Sequence, residues 1–204
     1  MHPKKEKTFV ILKPDAVQRG LIGDIIKRFE NIGLKIVAMK MIVATEEQAL
    51  AHYNKDEAWL MEKGEKNVIT NRKLMGLPVE KSALEYGKDI LNGLVEYLIC
   101  SPVVTLVLEG NNAQAVVKRL VGSTEPATAD TGTIRGDYSL ETYMLCDADG
   151  GRAVRNIIHC TDPKDGVDAA EREIGVWFKE EEIIKWKSIN EKMLYDTDLN
   201  GHLE

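Results

Sequence analysis

The sequence predicts an α/β fold of the α+β sandwich kind, a split βαβ arrangement in which about four strands form an antiparallel or mixed sheet with helices packed on it. Three observations lead there. Apolar runs of strand length alternate with stretches of helical periodicity, several of those stretches end on a glycine, and no internal repeat or low-complexity tract breaks the alternation. With 204 residues, 44% of them hydrophobic, residues 1–204 are long enough to form one domain with a proper core and no disulfide staple.

Thr8 to Leu12 is a short apolar run of strand type, broken by Lys13, Pro14 and Asp15. Ile22, Ile25, Ile26, Phe29 and Ile32 then recur at helical spacing until Gly33 stops them. Leu34 to Thr45 gives a second strand rich in Ile, Val and Met, and Thr45 with Gln48 forms a capping box for a helix through His52 and Tyr53. Residues 54–92 are rich in Lys and Glu and punctuated by Gly64, Gly76, Pro78 and Gly87. They are expected to form a helical insertion of two or three short helices, with burial supplied by Trp59, Leu60, Leu74, Met75 and Leu84. Val103 to Leu108 is a buried-type strand, and Asn112 opens a helix through Leu120 that Gly122 closes.

From Thr133 the chain runs through Cys146 into a strong turn signal, residues 147–151, after which Val154 to His159 returns as a partner strand. Asp168 and Glu171 make a capping pair for a helix through Ile174, ended by Gly175. The tail 196–204 is expected to be flexible; it begins like a calcium loop but lacks the closing glutamate, so no metal site is assigned there.

A net charge of −6 argues against a dedicated nucleic-acid binder or an anionic-membrane binder. The three cysteines, Cys100, Cys146 and Cys160, have no paired short spacing and fit reduced thiols in a cytoplasmic protein. Met1 to Lys7 is too charged for a signal-peptide core, and no apolar run reaches the roughly 18 residues of a membrane span.

Of the four histidines, His2 and His202 sit near the ends and His52 in a polar helical stretch, so only His159 is delivered to a defined place by rigid structure. On local sequence it is either a reacting imidazole or a strand-closing residue with one hydrogen-bond partner. Four separated signals favour phosphate chemistry: the Lys13 ammonium after the first strand, Thr124 beyond the Gly122 stop, the Arg135 guanidinium beside Gly136, and Asn156 just before His159. Singly, each has a structural alternative, such as a surface ion pair or a turn hydroxyl.

The wording of these segments resembles nucleoside diphosphate kinase from Thr8 to about Tyr195. The resemblance lies in residues 13–20 (Lys-Pro-Asp-Ala-Val-Gln-Arg-Gly), 132–137 (Gly-Thr-Ile-Arg-Gly-Asp) and 156–159 (Asn-Ile-Ile-His). It implies a ferredoxin-like fold with a four-stranded antiparallel sheet. It also implies a ping-pong transfer of the γ-phosphate from a nucleoside triphosphate to a diphosphate through phosphorylated His159. Lys13, Thr124, Arg135 and Asn156 match family positions that bind phosphate or ribose, Tyr53 matches one beside the histidine, and Glu173 matches the carboxylate that orients it.

Where the family has an arginine four residues before the post-helix glycine, this chain has Lys118 with Arg119 beside it, and which of them meets phosphate is open. A base-stacking aromatic aligns with Ile90, leaving Leu94 as the other apolar face of a nucleotide subsite. Cys160 follows the histidine and either packs or makes the enzyme sensitive to oxidation. The resemblance further implies Mg2+ held mainly by the nucleotide's phosphates, with no protein metal ligands, and a homo-oligomer, hexamer or tetramer. Extra helical residues like 54–92 resemble those of some archaeal-type members and would serve as a lid, an oligomer contact or a passive elaboration. A catalytically silent nucleotide-binding or scaffold relative, and a histidine phosphocarrier, are the other functional classes.

Overall fold

The computed structural model describes residues 5–148 and 152–195. The tail 196–204, the turn residues 149–151, His2 and His202 lie outside the described residues. Strands β1 (Glu6–Leu12), β2 (Lys35–Ile42), β3 (Val103–Gly110) and β4 (Ile158–Cys160) form one four-stranded sheet in the order β2-β3-β1-β4. Every pairing is antiparallel, with Thr8 opposite Leu108, Ile36 opposite Leu108 and Ile11 opposite His159.

Helices α1 (Pro14–Gln18) and α2 (Ile22–Asn31) follow β1, and α3 (Glu46–Tyr53) follows β2. Next come α4 (Glu57–Lys63), a π-helical stretch (Gly64–Ile69), α5 (Thr70–Leu74) and the long α6 (Ala83–Ile99). Helices α7 (Ala113–Val121), α8 (Ile134–Tyr138) and α9 (Tyr143–Ala148) lie between β3 and β4, and α10 (Val167–Trp177) and α11 (Ile189–Tyr195) complete the described chain.

The two central strands are buried on both faces, which is why β1 and β3 read as continuous apolar runs rather than alternating ones. Their side chains still divide by period two. Val10, Leu12, Leu106 and Leu108 meet Ile25 and Phe29 of α2 and Val117 and Val121 of α7 in one core. Phe9, Ile11 and Val107 meet Tyr53 of α3, Leu98 of α6 and Trp177 of α10 in the other. The Thr45–Gln48 capping box forms as expected. Gly122 is needed twice over: its φ is +86°, and a Cβ there would lie 2.5 Å from Thr133 Oγ1.

Three expectations are corrected. No strand runs from Thr133 to Cys146: the Thr133 hydroxyl accepts from the Gly136 amide and caps α8, so a helix start wins where the residue types read as strand. The returning strand is only Ile158–Cys160, and it pairs with the open edge of β1 rather than with the segment before it. Asp168 and Glu171 do not cap α10. That helix starts at Val167 after Gly166, without a side-chain cap, and passes through Gly175 to Trp177. Burial of Trp177 and Phe178 outweighs the roughly 1 kcal/mol that a helical glycine costs.

Within 54–92, helical structure forms, but the segment also contains the first turns of α6, and Leu74 is 74% exposed rather than buried. Leu60 is buried as expected, while Val68, Ile69 and Tyr86 build a small separate core. Gly87 makes that packing possible, since a Cβ on it would sit 2.0 Å from the Leu60 carbonyl oxygen.

Candidate active site

Strand β4 carries His159 to a cleft lined also by His52, Tyr53, Lys118, Thr124, Arg135 and Glu173, with Lys55, Cys160, Asp162, Asp165 and Arg172 around them. The strand enters through an unusual turn. Ile157, a β-branched residue, has φ +68°, and the Ile158 amide folds back onto the Asn156 carbonyl at 2.7 Å. Such backbone costs about 1–3 kcal/mol and persists only where surrounding contacts hold it.

On the far side of the ring, His159 Nε2 lies 3.1 Å from Oε2 of Glu173 on α10, and the Thr161 hydroxyl donates to the same oxygen at 2.6 Å. Burial alone would raise the Glu173 carboxyl, but the electrostatic pull and hydrogen bond of the His159 N–H, with Thr161 and Arg172, hold it below its ordinary range. An ionised carboxylate only accepts, so the nitrogen facing it carries the proton. The tautomer inferred from this network leaves the Nδ1 lone pair of His159 free.

His52 belongs to this site, which its polar surroundings in sequence concealed. It is 2% exposed, stands edge-on to His159 with ring centroids 4.4 Å apart, and accepts at Nδ1 from Trp177 Nε1 at 3.3 Å. Burial, then the electrostatic influence of the neighbouring His159 ring and of the Lys13 and Arg172 charges, pushes its pKa well below 6.5, so it stays neutral. The signal was present in the i, i+3, i+4 spacing of Ala49, His52 and Tyr53, the buried face of α3. Arg172 donates to the Ala51 and His52 carbonyls at 3.2 Å each and so satisfies the end of that helix.

His52, His159 and Glu173 offer metal-ligand atoms within 4.8 Å of one another. Their hydrogen bonds decide against that use: Trp177 occupies the Nδ1 lone pair of His52, and Glu173 Oε2 already takes two donors.

Behind the cleft, Lys13 is 5% exposed and donates to Asn156 Oδ1 at 2.8 Å, while Asn156 Nδ2 donates to the Thr124 carbonyl at 3.0 Å. Burial, then the neighbouring Arg135 charge, lowers the Lys13 pKa to about 8, against opposing pulls from Asp15 and Cys160. Arg135 donates through Nε to the Asn156 carbonyl, through one terminal nitrogen to those of Gly122 and Ser123, and through the other to that of Ile158. Four of its five N–H groups are thereby directed at the backbone, leaving one for a ligand.

Lys118 lines the cleft and pairs with Asp162 at 3.0 Å, whereas Arg119 is exposed and does not line it. Tyr53 reaches the Leu94 carbonyl at 3.5 Å, and burial pushes its hydroxyl far up. Leu94 packs on the second core and Ile90 on the small Val68–Tyr86 cluster, and neither lines the cleft. The Cys160 thiol is buried and pushed up in pKa by that burial, although Arg135 and Lys118 pull the other way.

The nucleoside diphosphate kinase family model matches residues 6–81 and 79–183. The chain belongs to the nucleoside diphosphate kinase family. A relative of that name from Pyrobaculum aerophilum is 46% identical over 184 residues, 88% of this chain and 98% of its own. A crystal structure of an NDP kinase from the same organism superposes with a TM-score of 0.82 at 43% identity, covering 89% of this chain and all of that one. A Borrelia burgdorferi nucleoside-diphosphate kinase, solved as a transition-state mimic with vanadate and ADP, gives 0.72 at 34% identity, over 93% of this chain and 96% of its own. The four-stranded antiparallel sheet with packed helices is the fold shared with these structures, and the chain is a nucleotide phosphotransferase. Among the described residues no helix is long and apolar enough to cross a membrane.

Proposed function

We propose that this nucleoside diphosphate kinase works through His159 Nδ1, which takes the γ-phosphoryl group of a nucleoside triphosphate and passes it to a nucleoside diphosphate. The observation that carries this reading is the Glu173–His159 pair, which fixes the proton on Nε2 and leaves Nδ1 as the nucleophile in a cleft with Lys118, Thr124 and Arg135. As the Nδ1–phosphorus bond forms, the bond from phosphorus to the β,γ-bridging oxygen breaks and the diphosphate leaves. The ring becomes cationic, and Glu173 opposite Nε2 stabilises that charge. An acceptor diphosphate reverses the step. Phosphoryl transfer has a loose transition state with charge on the peripheral oxygens, so Lys13, Lys118 and the remaining Arg135 N–H serve by position and charge.

Mg2+ fits as a passenger of the nucleotide. Glu173 is occupied by His159 and Thr161, and Asp162 by Lys118, so the cleft holds no free cage of carboxylates. Asp162 and Asp165 are the groups that would face the ion's water shell, and the ion would neutralise phosphate charge. The test is direct: incubation with γ-labelled ATP should leave acid-labile, alkali-stable label on the protein, discharged by a nucleoside diphosphate. A silent relative would bind nucleotide and take no label, and a phosphocarrier would lose it only to a partner protein.

The Lys13 shift fixes a pH dependence. Its ammonium is lost as pH rises through about 8, so kcat/KM for the triphosphate should decline above that value. Bound phosphate favours the ammonium, so the fall in kcat should come at higher pH. Lys13→Arg, whose charge does not titrate, should remove the limb from the kcat/KM profile. Stability runs the other way. Between about 8 and 10.5 the unfolded chain binds more protons at this residue than the folded one, so its contribution to stability grows with pH while activity falls.

We read residues 1–204 as one domain with 54–92 as its insertion, acting in the cytoplasm on small nucleotides rather than on nucleic acid or membranes. We also read it as a homo-oligomer, hexamer or tetramer. β2 is an edge strand, and Met39 and Met41 on it and Val43 just past its end are 54%, 57% and 61% exposed, an apolar row suited to a second copy. Sedimentation equilibrium should give the mass of an oligomer, reduced by Met41→Glu; a monomeric wild type would refute the assignment.

A further inference from the structure

The strained turn before His159 is gripped from one place. The Lys13 amide donates to the Ile157 carbonyl at 2.8 Å, and the Ile157 amide donates to Oδ2 of Asp15 at 3.1 Å. Both groups of the positive-φ residue are therefore held by the segment that leaves β1. Strand β4 begins one residue later and has only three ladder pairs, Ile158 to Leu12, His159 to Ile11 and Cys160 to Val10. So short a strand fixes its own register weakly, and a slip of one residue would turn His159 to the opposite face of the sheet. Asp15 itself is held where α1 begins, behind Pro14 at the first helical position, and the buried Tyr97 hydroxyl beside it is kept protonated by burial and by the Asp15 charge.

We propose that Asp15 is a positioning residue for the reaction: its carboxylate clamps the Ile157 amide, holds the turn in its strained form, and so sets both Asn156 and His159 in the site. The inference rests on His159 being the nucleophile. Asp15 acts through Ile157, two residues from the ring, and no chemical step passes through it. Its role as an acidic residue in the first turn of α1 is the competing explanation, because a carboxylate there is favourable to any helix.

Single-turnover phosphorylation by γ-labelled ATP separates the two, with Asp15→Ala and Asp15→Asn compared at a temperature where both remain folded. Displacing a reacting group by about 1 Å costs on the order of 10²-fold, so Asp15→Ala should phosphorylate about 10²-fold more slowly with KM little changed. Asp15→Asn keeps an oxygen that accepts from the Ile157 amide but has no charge for the helix, and should restore most of the rate. The His159 ring nitrogens should give single NMR signals in the wild type and in Asp15→Asn, and heterogeneous ones in Asp15→Ala.

Three results would overturn the proposal: an Asp15→Ala protein as fast as wild type, an Asp15→Asn protein as slow as Asp15→Ala, or slow turnover with unchanged His159 signals. If Asp15→Ala does not fold, Asp15→Ser carries the comparison, its hydroxyl being too short to reach the amide. If neither folds while Asp15→Asn does, Asp15 is a stability residue and the proposal fails. A wild type that takes no label on His159 would instead sink the functional reading beneath it.

Discussion

His159→Ala is expected to lose nucleotide exchange by at least about 10⁴-fold and to take no acid-labile label, while still folding and binding nucleotide. The size follows from what the ring does. Lysine, arginine and threonine donors that remain in the cleft can position a triphosphate and stabilise its charge, but none of them accepts the phosphoryl group. Among the described residues His52 is the one other imidazole near the reacting position, and it does not substitute. Its Nδ1 accepts from Trp177, so the proton of the neutral ring sits on Nε2 and no lone pair is left to attack, and the residue is 2% exposed. The decisive measurement pairs initial rates with a phosphoenzyme assay and a nucleotide titration. Full label on His159→Ala would move the nucleophile elsewhere; loss of label together with loss of nucleotide binding would show a collapsed cleft rather than a missing nucleophile.

The sheet was legible because its central strands are long apolar runs and its helices carry ordinary signals: the Thr45–Gln48 box, the Ile25–Phe29 stripe and the stops at Gly33 and Gly122 all act locally. The stretch from Thr133 to Cys160 was not legible in the same way. There a threonine hydroxyl chooses helix over strand, and a three-residue strand exists only because β1 offers it an edge. The strand is set by a partner far along the chain, whereas the helix start is a cap only three residues long that competes with strand-type residues. The site divides similarly. His159 announces itself by closing an apolar strand, whereas His52 looks like a polar helix residue until α3 is laid against Phe9 and Trp177. The grip of Asp15 on Ile157 spans 142 residues and leaves no mark on local pattern. The resemblance names Lys13, Thr124, Arg135 and Asn156 as phosphate or ribose groups, yet their bonding is not readable from it, and for Arg135 the bonding changes what the residue is for.

Arg135→Ala is expected to destabilise the fold by about 4 kcal/mol or more, enough to make it a folding variant before it is a kinetic one. The guanidinium is 4% exposed and donates to the carbonyls of Gly122, Ser123, Asn156 and Ile158. Those oxygens belong to the stop of α7 and to both sides of the strained turn, so one side chain ties the loop after Gly122 to the approach of β4. Truncation takes this donor from the Gly122, Ser123 and Ile158 carbonyls, at about 1–3 kcal/mol for each left unsatisfied, while the Asn156 carbonyl keeps the Ile158 amide. Arg135→Lys does not repair this. An ammonium has three donors at a single point, cannot span carbonyls on two segments, and would bury a readily titrated charge beside Lys13, where burial already lowers a lysine. We expect Arg135→Lys to lose about 2–4 kcal/mol in denaturant titration and most of its activity. Lys118→Ala is the comparison, because Lys118 is partly exposed and pairs with Asp162 alone. Such a pair contributes about 0–1 kcal/mol, so that variant should keep its midpoint and change only its nucleotide kinetics. An Arg135→Ala protein with wild-type stability and a raised KM would reverse the assignment, making the guanidinium a phosphate ligand first and a backbone tie second.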